Sequence, residues 1–154
     1  MKRALTALVF LGTICAPSAW AQSNDSSIRL TRSAVQAERQ ALIATNLGLT
    51  EEQRAVFWPL YAEYRTAVDE IADDKVEFFE RFFASYETLT DGEALALLDE
   101  SFKLKARYLE VQKIHAAEMR KHLSGKTVAR FFQIENKMDV IVDYEMSGEF
   151  PLIK

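Results

Sequence analysis

His115, Glu118 and His122 are the residues whose types and spacing come nearest to a metal site. The two histidines stand seven residues apart, about 10.5 Å along a helix at 1.5 Å per residue, too far to share one ion. Glu118 lies three residues after one and four before the other, so a helix face offers two ligands at most. A zinc or copper site would need further ligands from another helix or subunit. The spacing favours an acid beside a histidine near a basic helix end, with no bound metal and no cofactor. Glu135 and Asp139 form a second constellation, one turn apart. Glu135 falls inside the apolar sector of Phe131, Phe132, Met138 and Val142, where a carboxylate must be paired or protonated. Arg120 and Lys113 from the preceding helix are the expected partners. Paired carboxylates can do acid–base work, but no nucleophile, oxyanion motif or metal cluster accompanies these, so no catalytic residue is assigned and no enzyme is expected. Gly125-Lys126-Thr127 ends like a phosphate-binding loop. It lacks the first glycine, since Arg120 stands there, and no strand precedes it.

The aromatic residues have a different character. Phe78, Phe79, Phe82, Phe83 and Tyr86 span roughly 140° at 100° per residue, wider than a helix–helix seam. Further along, Leu97, Leu104, Tyr108 and Val111 form one apolar stripe of a helix. Leu95, Leu98, Phe102, Ala106, Leu109 and Ala116 form another on nearly the opposite side. A helix apolar on two faces must be covered twice. Core packing is the main expected use of these groups. The alternative is that part of the aromatic sector and the Leu97–Val111 stripe bind a dimer partner or an unfolded chain.

Sparse punctuation predicts the elements that carry these residues. The chain has 154 residues, 49% of them apolar and 27% charged, with five glycines and three prolines. This is one domain's length, and long helices must fill it. Lys2 and Arg3 precede an apolar run from Ala4 to Ile14, and Ala19-Trp20-Ala21 follows. That pattern predicts a secretory signal over 1–21, cleaved before Gln22, and a periplasmic product without a membrane span. Cys15, the only cysteine, leaves with the signal, so no disulfide or thiolate site is expected. Residues 22–32 read as a flexible segment, 33–148 as an all-α domain, and 149–154 as a tail. The first helix is expected over Ser33–Leu47 with Gly48 at its C-terminal cap. Thr50 and Gln53 make a capping box for a second helix of over thirty residues. On it, Phe57, Leu60, Tyr61, Tyr64, Val68 and Ile71 stay in phase with the later aromatics. Pro59 falls on the solvated side, and Lys75, landing in the stripe, is expected to snorkel. Thr90 and Glu93 cap a third helix, expected to reach Leu123 and end at Gly125. A fourth runs from about Thr127 to Met146.

Charge is unevenly shared: residues 51–100 carry a net −10, residues 101–130 a net +6. Adjacent helices of opposite sign suit an antiparallel pair within one chain or between two. The processed chain would be acidic at about −6, which disfavours a nucleic-acid partner.

Leu49-Thr50-Glu51-Glu52-Gln53, followed by Phe57-Trp58-Pro59-Leu60-Tyr61, resembles the LTxxQ motif of the small periplasmic Spy/CpxP-like stress proteins. Leu89-Thr90-Asp91-Gly92-Glu93 resembles a second copy with Glu in place of Gln. The resemblance covers roughly residues 33 to 123. It implies an antiparallel helical hairpin, often dimerised into a curved cradle, so the expected fold is a long antiparallel hairpin plus a short N-terminal and a C-terminal helix, as a homodimer. It also implies a chaperone-like factor or envelope-stress regulator that holds unfolded or envelope proteins or a sensor domain. The chain departs from the family's pattern in being acidic where the chaperone member is basic, and in lacking the histidine-rich segments of metal-sensing members. A periplasmic metal or small-ligand sensor, using His115, Glu118 or His122, is the alternative function.

Overall fold

The computed structural model describes residues 36–148 and 150–154. The expected signal, the flexible segment and the first residues of the first helix lie outside them. The described chain is all-α, with four helices and no strand among the described residues. Two units are distinguished, residues 1–40 and residues 41–154. The described part of the first, 36–40, is helical; in the second, residues 41–47 are helical and are called α1. Everything below concerns the second unit.

Gly48 ends α1 at φ +63°, the left-handed conformation that a side chain would resist and a C-terminal cap requires. Helix α2, Glu51–Ser85, opens with the expected capping box: Gln53 N–H donates to the Thr50 hydroxyl, and Thr50 N–H donates to the Gln53 side chain. Glu51 and Glu52 occupy its positive end. The helix runs unbroken through Pro59, which is exposed, so water can reach the Ala55 carbonyl that lost its donor. Helix α3, Asp91–Met119, repeats the device with Thr90 and Glu93.

The boundary between α3 and the next helix differs from expectation. Helix α3 stops at Met119 rather than Leu123, and a turn closes with Leu123 N–H bonded to the Met119 carbonyl. Gly125 does not terminate α3; it is the first residue of α4, Gly125–Ser147. Ser124 is the cap, its hydroxyl accepting from Thr127 N–H at 3.2 Å.

The core gathers at one end of these helices. Ile43 and Leu47 of α1, Leu49, and Phe57, Tyr61, Tyr64 and Val68 of α2 are buried together. Met119, Leu123, Val128 and Phe131 complete the cluster. Phe131 is its hub, its ring edge-on to Phe57, Tyr61 and Tyr64 at centroid separations of 5.3–5.9 Å. Such aromatic pairs stabilise by about 0.5–1.5 kcal/mol beyond area burial. Beyond Ile71 no residue of α2 is fully buried, although the apolar phase continues to Tyr86. The far end of α2 is thus less dry than its periodicity implies. Helix α2 packs along α3, with ion pairs Arg81–Glu100 and Asp74–Arg107 on the rim. Lys75 is half-buried, and its ammonium lies 5.6 Å from the centre of the Tyr108 ring.

Candidate functional site

Helix α4 lays Glu135 and Asp139 against the inner faces of α2 and α3. Glu135 is completely buried. Its partner is Arg65 of α2, with Nη1 3.5 Å from Oε2, and not Arg120 or Lys113 as the sequence suggested. Lys113 turns to Glu110 on its own helix and Arg120 bonds the Ala116 carbonyl, so neither reaches α4's inner face. Arg65 also binds Asp69 at 2.9 Å, one turn along α2. Burial alone would depress the guanidinium's pKa; the charges of Glu135 and Asp69 outweigh it and the net shift is upward. Asp139 accepts from the Tyr108 hydroxyl, and Tyr108 lies 3.4 Å from the Tyr64 hydroxyl. Because Tyr108 has one proton and gives it to Asp139, Tyr64 must donate to Tyr108. Burial pushes the Tyr64 phenol up to about 12; burial and the neighbouring Tyr64 and Asp139 push Tyr108 higher still. Both phenols therefore stay protonated at neutral pH. The relay joins the three helices and presents no activated nucleophile.

The histidines are separated as their spacing required. His115 is half-buried and edge-on to Tyr64 at 5.6 Å, so it belongs to the core margin. His122 lies outside, 3.8 Å from Glu118, which is also bound to Lys121. The hydrogen bond from Lys121 holds the Glu118 carboxyl below its ordinary range. Two candidate ligands come together there, and among the described residues no group of three metal-ligating side chains forms.

The motif residues act as caps. Leu49 is buried in the core and Leu89 half-buried, while Thr50, Gln53, Thr90 and Glu93 are occupied in closing helix ends.

The apolar stripes of α3 divide clearly. Leu104 is buried, and Leu97, Tyr108 and Val111 are half-buried, so this stripe faces the interior. The opposite one, Leu95, Leu98, Phe102, Ala106 and Leu109, is exposed. The aromatic sector is intermediate: Phe78, Phe79, Phe82 and Tyr86 are half-buried and Phe83 is 42% exposed. Phe150 from the C-terminal tail inserts its ring among them, 4.6 Å from Phe79 and 5.1 Å from Phe83 between centroids. Lys154 then pairs with Glu87 at 2.7 Å. No sequence signal announced that contact, since a lone Phe beside Pro151 has no periodicity. No helix among the described residues is long and apolar enough to cross a membrane.

No protein-family model matches the chain, and no curated protein or solved structure is significantly similar to it.

Proposed function

We propose that this protein is a non-enzymatic, exported protein-binding factor that acts in the periplasm once residues 1–21 are removed. It is chaperone-like or regulates envelope stress, as the resemblance to the LTxxQ proteins implies, and α2 and α3 serve as its antiparallel hairpin. One observation carries this reading: the densest aromatic run of the chain, Phe78 to Tyr86, lies outside the buried core and is sheltered by Phe150 of the short tail. A monomer whose interior needed those rings would have enclosed them. Rings of this kind, on a helix end weakly held by the core, give apolar contact that tolerates varied client sequences. The acidic surface keeps the protein soluble while it does so.

The test uses the polypeptide from Gln22. It should suppress aggregation of a chemically denatured client at stoichiometric ratios, and Phe82→Ser with Phe83→Ser should raise the concentration needed by roughly fivefold. A wild-type protein that neither suppresses aggregation nor captures any envelope protein refutes the proposal.

A further inference from the structure

Phe150 sits where the side chain of a ligand would sit. Its ring lies 4.6, 5.9 and 5.1 Å from those of Phe79, Phe82 and Phe83, centre to centre, and stacks at 27° on the last. Those three stand at i, i+3 and i+4 on α2, the spacing that groups side chains on one helix face. All three separations fall in the range of favourable aromatic contact.

The rest of the tail is barely engaged. Leu152 is 88% and Ile153 47% exposed, and Phe150 itself is only half-buried. Lys154 reaches Glu87 at 2.7 Å, but both side chains are more than half exposed, so salt weakens the pair. One ring and one surface ion pair therefore hold this segment down. A tail that completed the core would be sealed in with its apolar neighbours. The charge around the rings also suits a cationic occupant. Residues 76–93 carry Glu77, Glu80, Glu87, Asp91 and Glu93 against Arg81, and Arg81 is already paired with Glu100.

We propose that Phe79, Phe82 and Phe83 recognise an extended segment that carries an aromatic side chain and, four residues on, a cation. Phe150 and Lys154 occupy this site as an internal competitor until such a segment displaces them. The inference rests on the protein-binding reading above and names what its site takes. Because Phe150 follows the end of α4 at Ser147 by three residues, the tail meets the rings at an effective concentration of a few millimolar, written as about 3 mM. An intrinsic dissociation constant of about 0.3 mM, the scale of a single anchoring ring, then keeps about nine-tenths of the molecules closed. Affinity for any other segment is reduced by the open fraction, which is roughly tenfold.

A fluorescent peptide with the sequence of residues 148–154 is the probe, titrated with the full chain carrying Cys15→Ser up to about 1 mM and read by anisotropy. Adding Phe150→Ser, which clears the rings, should tighten peptide binding roughly tenfold over the parent. Leu152→Ser, at a side chain that is 88% exposed, should match the parent. Replacing the peptide's phenylalanine by alanine, or adding Phe83→Ser to the Phe150→Ser chain, should abolish binding. Replacing the peptide's lysine by glutamate should weaken it at least about threefold. Glu87→Cys with Lys154→Cys, joined by a short bis-maleimide, should give a cross-linked monomer that no longer takes the peptide. Equal affinity for the parent and Phe150→Ser, indifference to the lysine, or a covalent dimer, which would seat the tail on a second copy, overturns the proposal. A chain that passes these tests and still suppresses no aggregation overturns the chaperone-like reading alone.

Discussion

Removing the Glu135 carboxylate isolates the contribution of the one fully buried charged side chain among the described residues. The Arg65 side chain is 15% exposed, so Glu135→Ala leaves a guanidinium that cannot hydrate fully where it stands. Breaking one partner of a buried pair costs about 3–5 kcal/mol. Arg65 keeps Asp69 at 2.9 Å and some solvent, which places the loss near the lower bound, at about 3 kcal/mol. For a domain of this size, that lowers Tm by about 10 °C. The assay is a thermal melt followed by helical circular dichroism at neutral pH. A second variant isolates the cause: Arg65→Met with Glu135→Met replaces the pair by apolar groups of similar volume and should fall within about 1 kcal/mol of the parent. A Glu135→Ala melt within about 2 °C of the parent would refute the reasoning, because a completely enclosed carboxylate facing a cation would then contribute nothing.

Other expectations concern protons and metals. Hydrogen bonds from the Thr90 N–H and hydroxyl hold the Glu93 carboxyl below its ordinary value. A depressed folded pKa stabilises the fold above the unfolded value and ceases to do so as pH falls through the folded one. The Tm difference between parent and Glu93→Gln should therefore shrink from about pH 6 to about pH 3. An unchanged difference would exclude the charge from the cap. Tyr64 has the opposite sign: raised to about 12, it contributes fully below about pH 10 and loses that contribution as pH rises through its folded value. Part of the phenolate absorbance should thus appear only as helicity is lost; complete ionisation in the folded protein would contradict the buried relay. Zinc, copper or nickel at micromolar protein should give no saturable heat, because Glu118 and His122 supply two ligands only. Stoichiometric uptake abolished by His122→Ala would revive the sensor alternative.

The local devices were legible because their physics is local. Thr50 with Gln53 and Thr90 with Glu93 declare two helix starts within four residues, and Gly48 declares a stop. The same kind of signal is ambiguous at Ser124. Gly125 reads as a terminator, while Ser124, three residues before Thr127, is the operative cap. Burial of Glu135 followed from its place among apolar neighbours, but its partner did not. Arg65 lies seventy residues earlier, and only the packing of α4 onto α2 selects it over the nearer Arg120. Both stripes of α3 could be seen in the sequence. Which one the fold would cover depended on where α2 and α4 came to rest, a tertiary fact that helical period does not contain.

The distribution of burial links these observations to function. Every member of the main core cluster falls in residues 43–68 or 119–131, so α1, the first half of α2, the end of α3 and the start of α4 enclose one another. The reach from Ala72 to Ser101 contains no fully buried residue and is tied to the rest by rim ion pairs, half-buried rings and the tail's Phe150. Exposed ion pairs contribute little, about 0–1 kcal/mol each, and salt weakens them. Stability is therefore graded along the helices, with the low end where the aromatic residues concentrate. Binding surfaces that must open or adapt are drawn from such regions, whereas a rigid reaction centre would be placed where packing is complete. In this chain the well-packed end holds the Arg65–Glu135 ion pair and the hydrogen-bonded Tyr64, Tyr108 and Asp139, and the loosely held end holds the apolar groups. That division is the one the proposed protein-binding role would use, with apolar area at the loosely held end.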